Sequence, residues 1–253
     1  MHSAETEASL AVPANTRREV FATTQWTAVL AASDQDFAKA AAALHWLCST
    51  YWYPIYAFIR RRGANFHEAE DLTQSFFAFL LEGQILKKAH QNKGRFRSFL
   101  LAALTNFSNN EWDKRQTLKR GGQRQIISLD EATAEGRYRN EPAGSLPPEK
   151  LFDRRWANML VETVLALLRE EYAAANNAAF LARLEPLLTQ EVTPGLYAQL
   201  AAEFDMTSGA IKLALHRLRR RFGELLRREV GRTVTDAAAL EEEIRYLFSA
   251  LSE

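Results

Sequence analysis

The sequence predicts an all-α chain: two small helical domains joined by a long linker, with a further helix at the C-terminal end. Three observations carry that expectation. Apolar residues recur every three to four positions through most of the chain. No segment alternates apolar and polar with the period of two that a half-buried strand requires. Gly and Pro collect between 118 and 150 instead of being spread evenly. With 253 residues, 47% of them hydrophobic and 25% charged, the chain has material for one large or two small cores and is neither collagenous nor disordered.

The first 30 residues are expected as an N-terminal extension; their early acids and lack of a continuous apolar stretch do not read as a signal peptide. The first domain is placed at 31–117. Its first helix is expected from about 37 to 62, with Leu44, Leu47, Tyr51, Ile55 and Phe58 at helical spacing, Pro54 as a kink and Gly63 as the stop. A second, from about 67 to 81, sets Leu72, Phe76, Phe79 and Leu80 on one side. A third, from about 95 to 115, does the same with Phe96, Phe99, Leu100, Ala103, Leu104 and Phe107. Three helices closing on those faces give a small core.

Periodicity stops in the linker, 118–150, where Gly121, Gly122, Gly136, Pro142, Gly144, Pro147 and Pro148 accumulate. A flexible stretch of that length would span roughly 30 Å. The second domain, 151–232, opens on a long amphipathic helix marked by Phe152, Trp156, Met159, Leu160, Val164, Leu167, Leu168 and Tyr172, and a shorter one follows at about 178 to 188. Pro194 and Gly195 then introduce two closely joined helices, 196–204 and 208 to about 228. The C-terminal extension, 233–253, carries a last helix with Leu240, Ile244, Leu247 and Leu251 on its apolar side; the acids at 241–243 are expected on its solvated face.

A net charge of +1 points to no particular partner, so the distribution of charge decides more than its sum. From Thr207 to Glu229, Lys212, Arg217, Arg219, Arg220, Arg221, Arg227 and Arg228 stand against only Glu224 and Glu229. Lys114, Arg115, Lys119, Arg120 and Arg124 form a second run without an acid. Two basic patches in a neutral chain suggest a polyanion met at two places. The stretch from Leu196 to Arg221 has the layout of a helix-turn-helix. Leu200, Ala201 and Phe204 form the packing face of its first helix, Asp205 and Met206 the turn, and Thr207 caps the second helix. Ile211, Leu215 and Leu218 then point inward, leaving Ser208, Lys212, His216, Arg217, Arg219 and Arg220 outward. Such a helix enters a major groove with its first turn while its arginines neutralise phosphates; the plainer alternative is a solvated basic face.

Other chemistry is thin. His67 and Asp71 lie four apart and His45 and Cys48 three apart, but neither pair has the further ligands of a zinc or di-iron site, and His45 is expected to pack in the core. A Gly-rich phosphate loop and a nucleophile elbow are lacking. No metal, no cofactor and no enzymatic activity are therefore expected. The single cysteine favours a reducing compartment, and no apolar run approaches the roughly 18 to 20 residues of a membrane span, so the chain is expected in the cytoplasm without a membrane partner.

Tyr197 to Arg221 resembles the C-terminal DNA-reading domain of bacterial RNA polymerase sigma factors, of the small two-domain, extracytoplasmic-function type. Two further segments carry the same resemblance in the family's order. Glu70 to Leu80 is similar to its polymerase-binding helix, and Phe96-Arg97-Ser98-Phe99-Leu100 with Asn106 and the basic end Lys114-Arg115 is similar to its promoter-melting segment, with Phe99 where tryptophan is usual. Leu213 and Ala214 stand on the reading helix where many members carry polar or basic residues. The phrases Arg137 to Pro142 and Leu151 to Trp156 suggest a subgroup with an enlarged linker.

The resemblance implies a first domain like sigma region 2 and a second like sigma region 4. It implies binding to core RNA polymerase through Asp71, Leu72, Gln74, Phe77 and Leu80. Reading of a −10 promoter element would fall to Lys93, Arg95, Phe96, Asn106, Asn109, Asn110, Lys114 and Arg115. Reading of a −35 element would fall to Thr207, Ser208, Lys212, His216, Arg217 and Arg220. Core RNA polymerase and promoter DNA are then the partners, with an anti-sigma or kinase-type regulator a further candidate. Two rivals stay open: an autonomous helix-turn-helix regulator acting without polymerase, and a helical adaptor with solvated arginines.

Overall fold

Local chemistry sets where each helix begins and ends. The computed structural model describes residues 37–82, 95–117, 135–138, 146–190, 192–234 and 236–252, and every regular element among them is helical. Helix α1 spans Phe37–Arg61 and runs through Pro54; Gly63 behind it adopts φ +100, the left-handed conformation that glycine takes at a helix end without a Cβ clash. Asn65 and Glu68 then cap α2 (Phe66–Glu82) reciprocally. The Glu68 amide donates to Asn65 Oδ1 at 3.0 Å and the Asn65 amide to Glu68 Oε2 at 2.9 Å. Helix α3 spans Phe96–Thr117 and α4 Pro148–Ala174, the latter with proline at its first position. Asn176, at φ 57, closes α4 with the Asn177 amide donating to the Tyr172 carbonyl at 2.8 Å. A short α5 (Ala178–Leu184) and a 3₁₀ turn (Glu185–Leu187) lead to α6 (Pro194–Glu203), α7 (Ser208–Gly231) and α8 (Ala237–Ser252).

The all-α expectation holds. Helix α1 lies against α4, and α4 also receives α7 and α8, while α2 covers α1 and meets α3. The buried side chains form one cluster that contains Leu47, Tyr51, Ile55 and Phe58 from α1, Phe152, Trp156, Leu160 and Val164 from α4, and Leu218, Leu225 and Leu247 from α7 and α8. Residues before and after the 118–150 stretch thus share buried surface. The helical turn at 135–138 is fastened to α1: Glu135 accepts from Tyr56 Oη at 2.5 Å and from Arg60 Nε and Nη2 at 3.1 and 2.9 Å, while the Arg60 guanidinium lies 4.8 Å from the Tyr138 ring centre. The N-terminal extension and most of the linker lie outside the described residues.

Two expectations are corrected. His45 is exposed rather than in the core. Of the acids at 241–243, Glu241 and Glu242 are exposed, but Glu243 is fully buried, because it shares the inward face of α8 with Leu240, Ile244 and Leu247.

Candidate nucleic-acid interface

The helix-turn-helix is built by caps at both of its corners. Thr193 Oγ1 accepts from the Leu196 amide at 3.4 Å to start α6, and Thr207 Oγ1 accepts from the Ala210 amide at 3.1 Å to start α7. Between them Asp205 takes φ 51 and the Met206 amide returns to the Ala201 carbonyl at 2.9 Å, the six-to-one bond of a Schellman turn. The pair is braced from outside. Phe180 meets Phe204 edge to face at 4.9 Å, Arg183 makes a two-pronged contact with Glu203 at 2.8 and 2.9 Å, and Arg219 donates to the Leu187 and Gln190 carbonyls at 2.8 and 2.7 Å.

Ile211, Leu215 and Leu218 are buried as expected, which rotates the opposite face of α7 to solvent. Lys212, His216, Arg217 and Arg220 stand exposed on it. Lys212 Nζ sits 5.2 Å from the Tyr197 ring centre, and Arg220 meets Glu224 at 3.5 Å. His216 and Arg217 have no charged or hydrogen-bonding partner among the described residues. Ser208 is half-buried, and the Thr207 oxygen is engaged as the cap. Arg219, expected outward as a phosphate contact, is drawn into the carbonyls of the preceding loop. Arg221 is turned to Glu171 and Glu224, which hold its guanidinium above the ordinary arginine range. The exposed face is therefore narrower than the arginine run in the sequence.

The residues expected to read the −10 element are spread over contrasting environments. Asn106 and Asn110 are exposed on α3, and Asn109 Oδ1 accepts from Arg62 Nη2 at 2.7 Å. Phe96 is buried, edge to face with Tyr51 at 5.5 Å, so in this arrangement it is core and cannot stack on a base. Arg95 is paired with Glu242 and, at 3.2 Å, with Glu243. Lys93 lies outside the described residues, and so do the side chains of Lys114 and Arg115 on the last turns of α3. The residues expected to bind polymerase divide in the same way. Asp71 and Gln74 are half-buried at the surface of α2, whereas Leu72, Phe77 and Leu80 are core. Phe79, expected in the core, is 39% exposed, and Leu81 is exposed as well. From Asp71 onward the α2 surface thus consists of Asp71, Gln74, Ser75, Ala78, Phe79 and Leu81.

One buried ionic group was missed by sequence reasoning. Arg97, with a side chain 4% exposed, donates through Nη1 to Asp153 and through Nε to Glu243 Oε1 at 2.9 Å. Its guanidinium lies 4.1 Å from the Tyr246 ring centre and 5.0 Å from that of Trp156. Tyr246 Oη completes the set by donating to Asp153 Oδ2 at 2.5 Å. Burial works against the Arg97 charge, but hydrogen bonding to Glu243 and the charges of Glu243 and Asp153 outweigh it and leave its pKa raised. Burial and then the bond to Asp153 raise the Tyr246 hydroxyl. Beside the group an open cavity of about 550 Å³ is lined by Arg95, Ser98, Thr105, Asn106 and Tyr246 among others. Next to it the Phe96 amide donates to the Thr233 carbonyl at 3.2 Å, and Trp46 Nε1 donates to the buried Glu229 at 3.3 Å. The start of α3 is thereby tied to α4, α8 and the end of α7.

Among the described residues no group of His, Cys, Asp and Glu has the makings of a metal site, and no helix is long and apolar enough to cross a membrane. Comparisons with models of protein families, with curated proteins and with solved structures found no match.

Proposed function

We propose that this chain is a sigma-type initiation factor: it binds core RNA polymerase and directs it to promoters, with α6 and α7 reading duplex DNA. The observation that supports this most is the helix-turn-helix, capped at both corners and braced from behind, whose outward face carries Lys212, His216, Arg217 and Arg220. Braced elements lose little freedom on binding, and cations beside a groove-sized helix supply the phosphate contacts that position it. The exposed surface of α2 suits a protein partner: Asp71, Gln74, Ser75 and Ala78 lie along its middle, with the apolar Phe79 and Leu81 to either side. On this reading the two halves correspond to sigma regions 2 and 4, the synthesis of RNA belongs to the polymerase, and the chain is a specificity subunit.

In vitro transcription with core polymerase on a randomised promoter pool tests the proposal. The expected result is start sites that share sequence and vanish when the chain is omitted; transcription that stays random refutes it. The pairing of Arg95 with α8 and the burial of Phe96 favour one second reading, an autonomous helix-turn-helix regulator. That reading requires tight, sequence-selective duplex binding without polymerase, which a gel-shift measurement on the purified chain decides.

A further inference from the structure

The exposed face of α7 is not purely polar. Leu213 is 49% exposed on its second turn, and Met206, 40% exposed, precedes the helix. Gly209 lies one turn before Leu213 on the same side of the helix, while Met206 belongs to the turn ahead of it. The fold does not demand glycine here: a Cβ at Gly209 would meet only Thr207 Oγ1, at the ordinary contact distance of 3.8 Å. A smooth apolar stripe thus runs along the first two turns, bordered by Lys212, His216 and Arg217.

Its surroundings select the occupant. From Ser208 through Gly223 the chain carries no acid, and Lys212 and Arg217 stand exposed beside Leu213, a local charge that favours a polyanion. The stripe stands on the outward face of the second helix of a helix-turn-helix, the element that enters a major groove. In the major groove one base offers an apolar group: thymine, through its 5-methyl. We propose that Leu213 is a specificity-determining residue that packs on a thymine methyl, with Gly209 admitting the groove wall close to the helix. This rests on the DNA-reading function proposed above and deepens it, by assigning thymine to the bases under the second turn of α7 while Lys212 and Arg217 hold the flanking phosphates.

The test uses the full chain at low ionic strength. A duplex selected from a randomised pool is remade with deoxyuridine replacing each thymine in turn, which removes only the methyl. At one position the substitution weakens binding about fourfold, the value of one buried methyl group. Leu213→Ala lowers affinity for the thymine duplex by at least as much and no longer distinguishes thymine from deoxyuridine there. Because Leu213 is half-exposed, the variant keeps its fold, checked by an unchanged unfolding midpoint. Equal binding of thymine and deoxyuridine duplexes by the unsubstituted chain, or discrimination that survives Leu213→Ala, overturns the assignment while leaving DNA binding intact. A chain that retains no duplex of any sequence, alone or together with core polymerase, overturns the DNA-reading function itself, and the stripe is then a protein contact.

Discussion

Glu243→Gln removes one charge from the middle of the molecule and keeps the volume. The Glu243 side chain is fully buried and is bonded to Arg97 at 2.9 Å and to Arg95 at 3.2 Å. Without its charge, Arg97 retains only Asp153 as a counter-ion inside a site walled by the Trp156 and Tyr246 rings. Breaking a buried pair by removing one partner costs about 3–5 kcal/mol, because the remaining charge stays desolvated. Glutamine still offers an oxygen to Nε, which places the expected loss near 3 kcal/mol. With a urea slope near the upper end of the ~1–3 kcal/mol/M range, the unfolding midpoint falls by about 1 M. Glu242→Gln is the internal control: its carboxylate also pairs with Arg95 but is 60% exposed, and solvent screens it, so the midpoint should not move measurably. Tryptophan fluorescence and far-UV circular dichroism should also give coincident transitions, because one buried cluster joins both halves. Equal effects of the two substitutions, or a Glu243→Gln midpoint within error of the parent, would refute the argument that this charge is held out of water.

Three more expectations concern the helix-turn-helix and its support. Thr207→Ala deletes the cap of α7 and should cost about 1 kcal/mol in urea unfolding, whereas Thr207→Ser should restore most of it. Lys212→Ala combined with Arg217→Ala should weaken duplex retention and reduce the slope of log K against log salt by about 2, roughly one for each phosphate that is no longer neutralised; an unchanged slope would place those cations away from DNA. The hydrogen bond from Arg221 lowers the Glu171 carboxyl below its ordinary value of 4.5. A carboxyl depressed on folding contributes stability above its unfolded pKa and loses it as pH falls through the folded one, so Glu171→Gln should narrow the gap between neutral and acidic unfolding midpoints, by a small amount because both partners are substantially exposed.

Much of the helical layout was legible because it is local. Periodicity placed the long helices among the described residues, and Thr207, Asp205 and Met206 mark the helix-turn-helix corner by their own chemistry. Asn65 with Glu68 three residues on is a capping box visible in the sequence, and it explains why α2 begins at Phe66 and not at His67. What was illegible is long-range. Motif similarity groups Asp71, Leu72, Gln74, Phe77 and Leu80 together, but only the positions of α1 and α3 decide that three of them face the core. Arg97 and Glu243 are 146 residues apart, and no spacing rule pairs them. A trace was present all the same: Asp153 sits beside Phe152 at the start of α4's buried face, and Glu243 sits between Leu240 and Leu247 on that of α8. An acid on an apolar stripe needs a buried cation, and Arg97, between Phe96 and Leu100, is a cation on such a stripe.

The character of the contact between the halves bears on both proposed readings. Helices α1 and α4 meet along a largely apolar seam, and separating them would return that surface to water at a cost proportional to its area. The Arg97 group behaves differently, since two carboxylates and a guanidinium regain their hydration when exposed and give back much of what their pairing contributed. A sigma-type factor whose halves grip two promoter elements on one polymerase therefore has two physical options. Either the halves stay joined along the seam and the elements are met at a fixed separation, or polymerase binding supplies enough free energy to part α1 from α4, with the ionic group opening at little net cost. In the first case Phe96 stays buried on the polymerase and the −10 surface is left to Asn106, Asn110 and the basic end of α3. In the second, Arg95 is released from Glu242 and Glu243 and the Phe96 amide from Thr233, while the Phe96 ring keeps its contact with Tyr51 on α1. A fluorophore pair on exposed residues of α2 and α6, read with and without core polymerase, separates the two: an unchanged transfer efficiency selects the fixed arrangement, a fall selects parting.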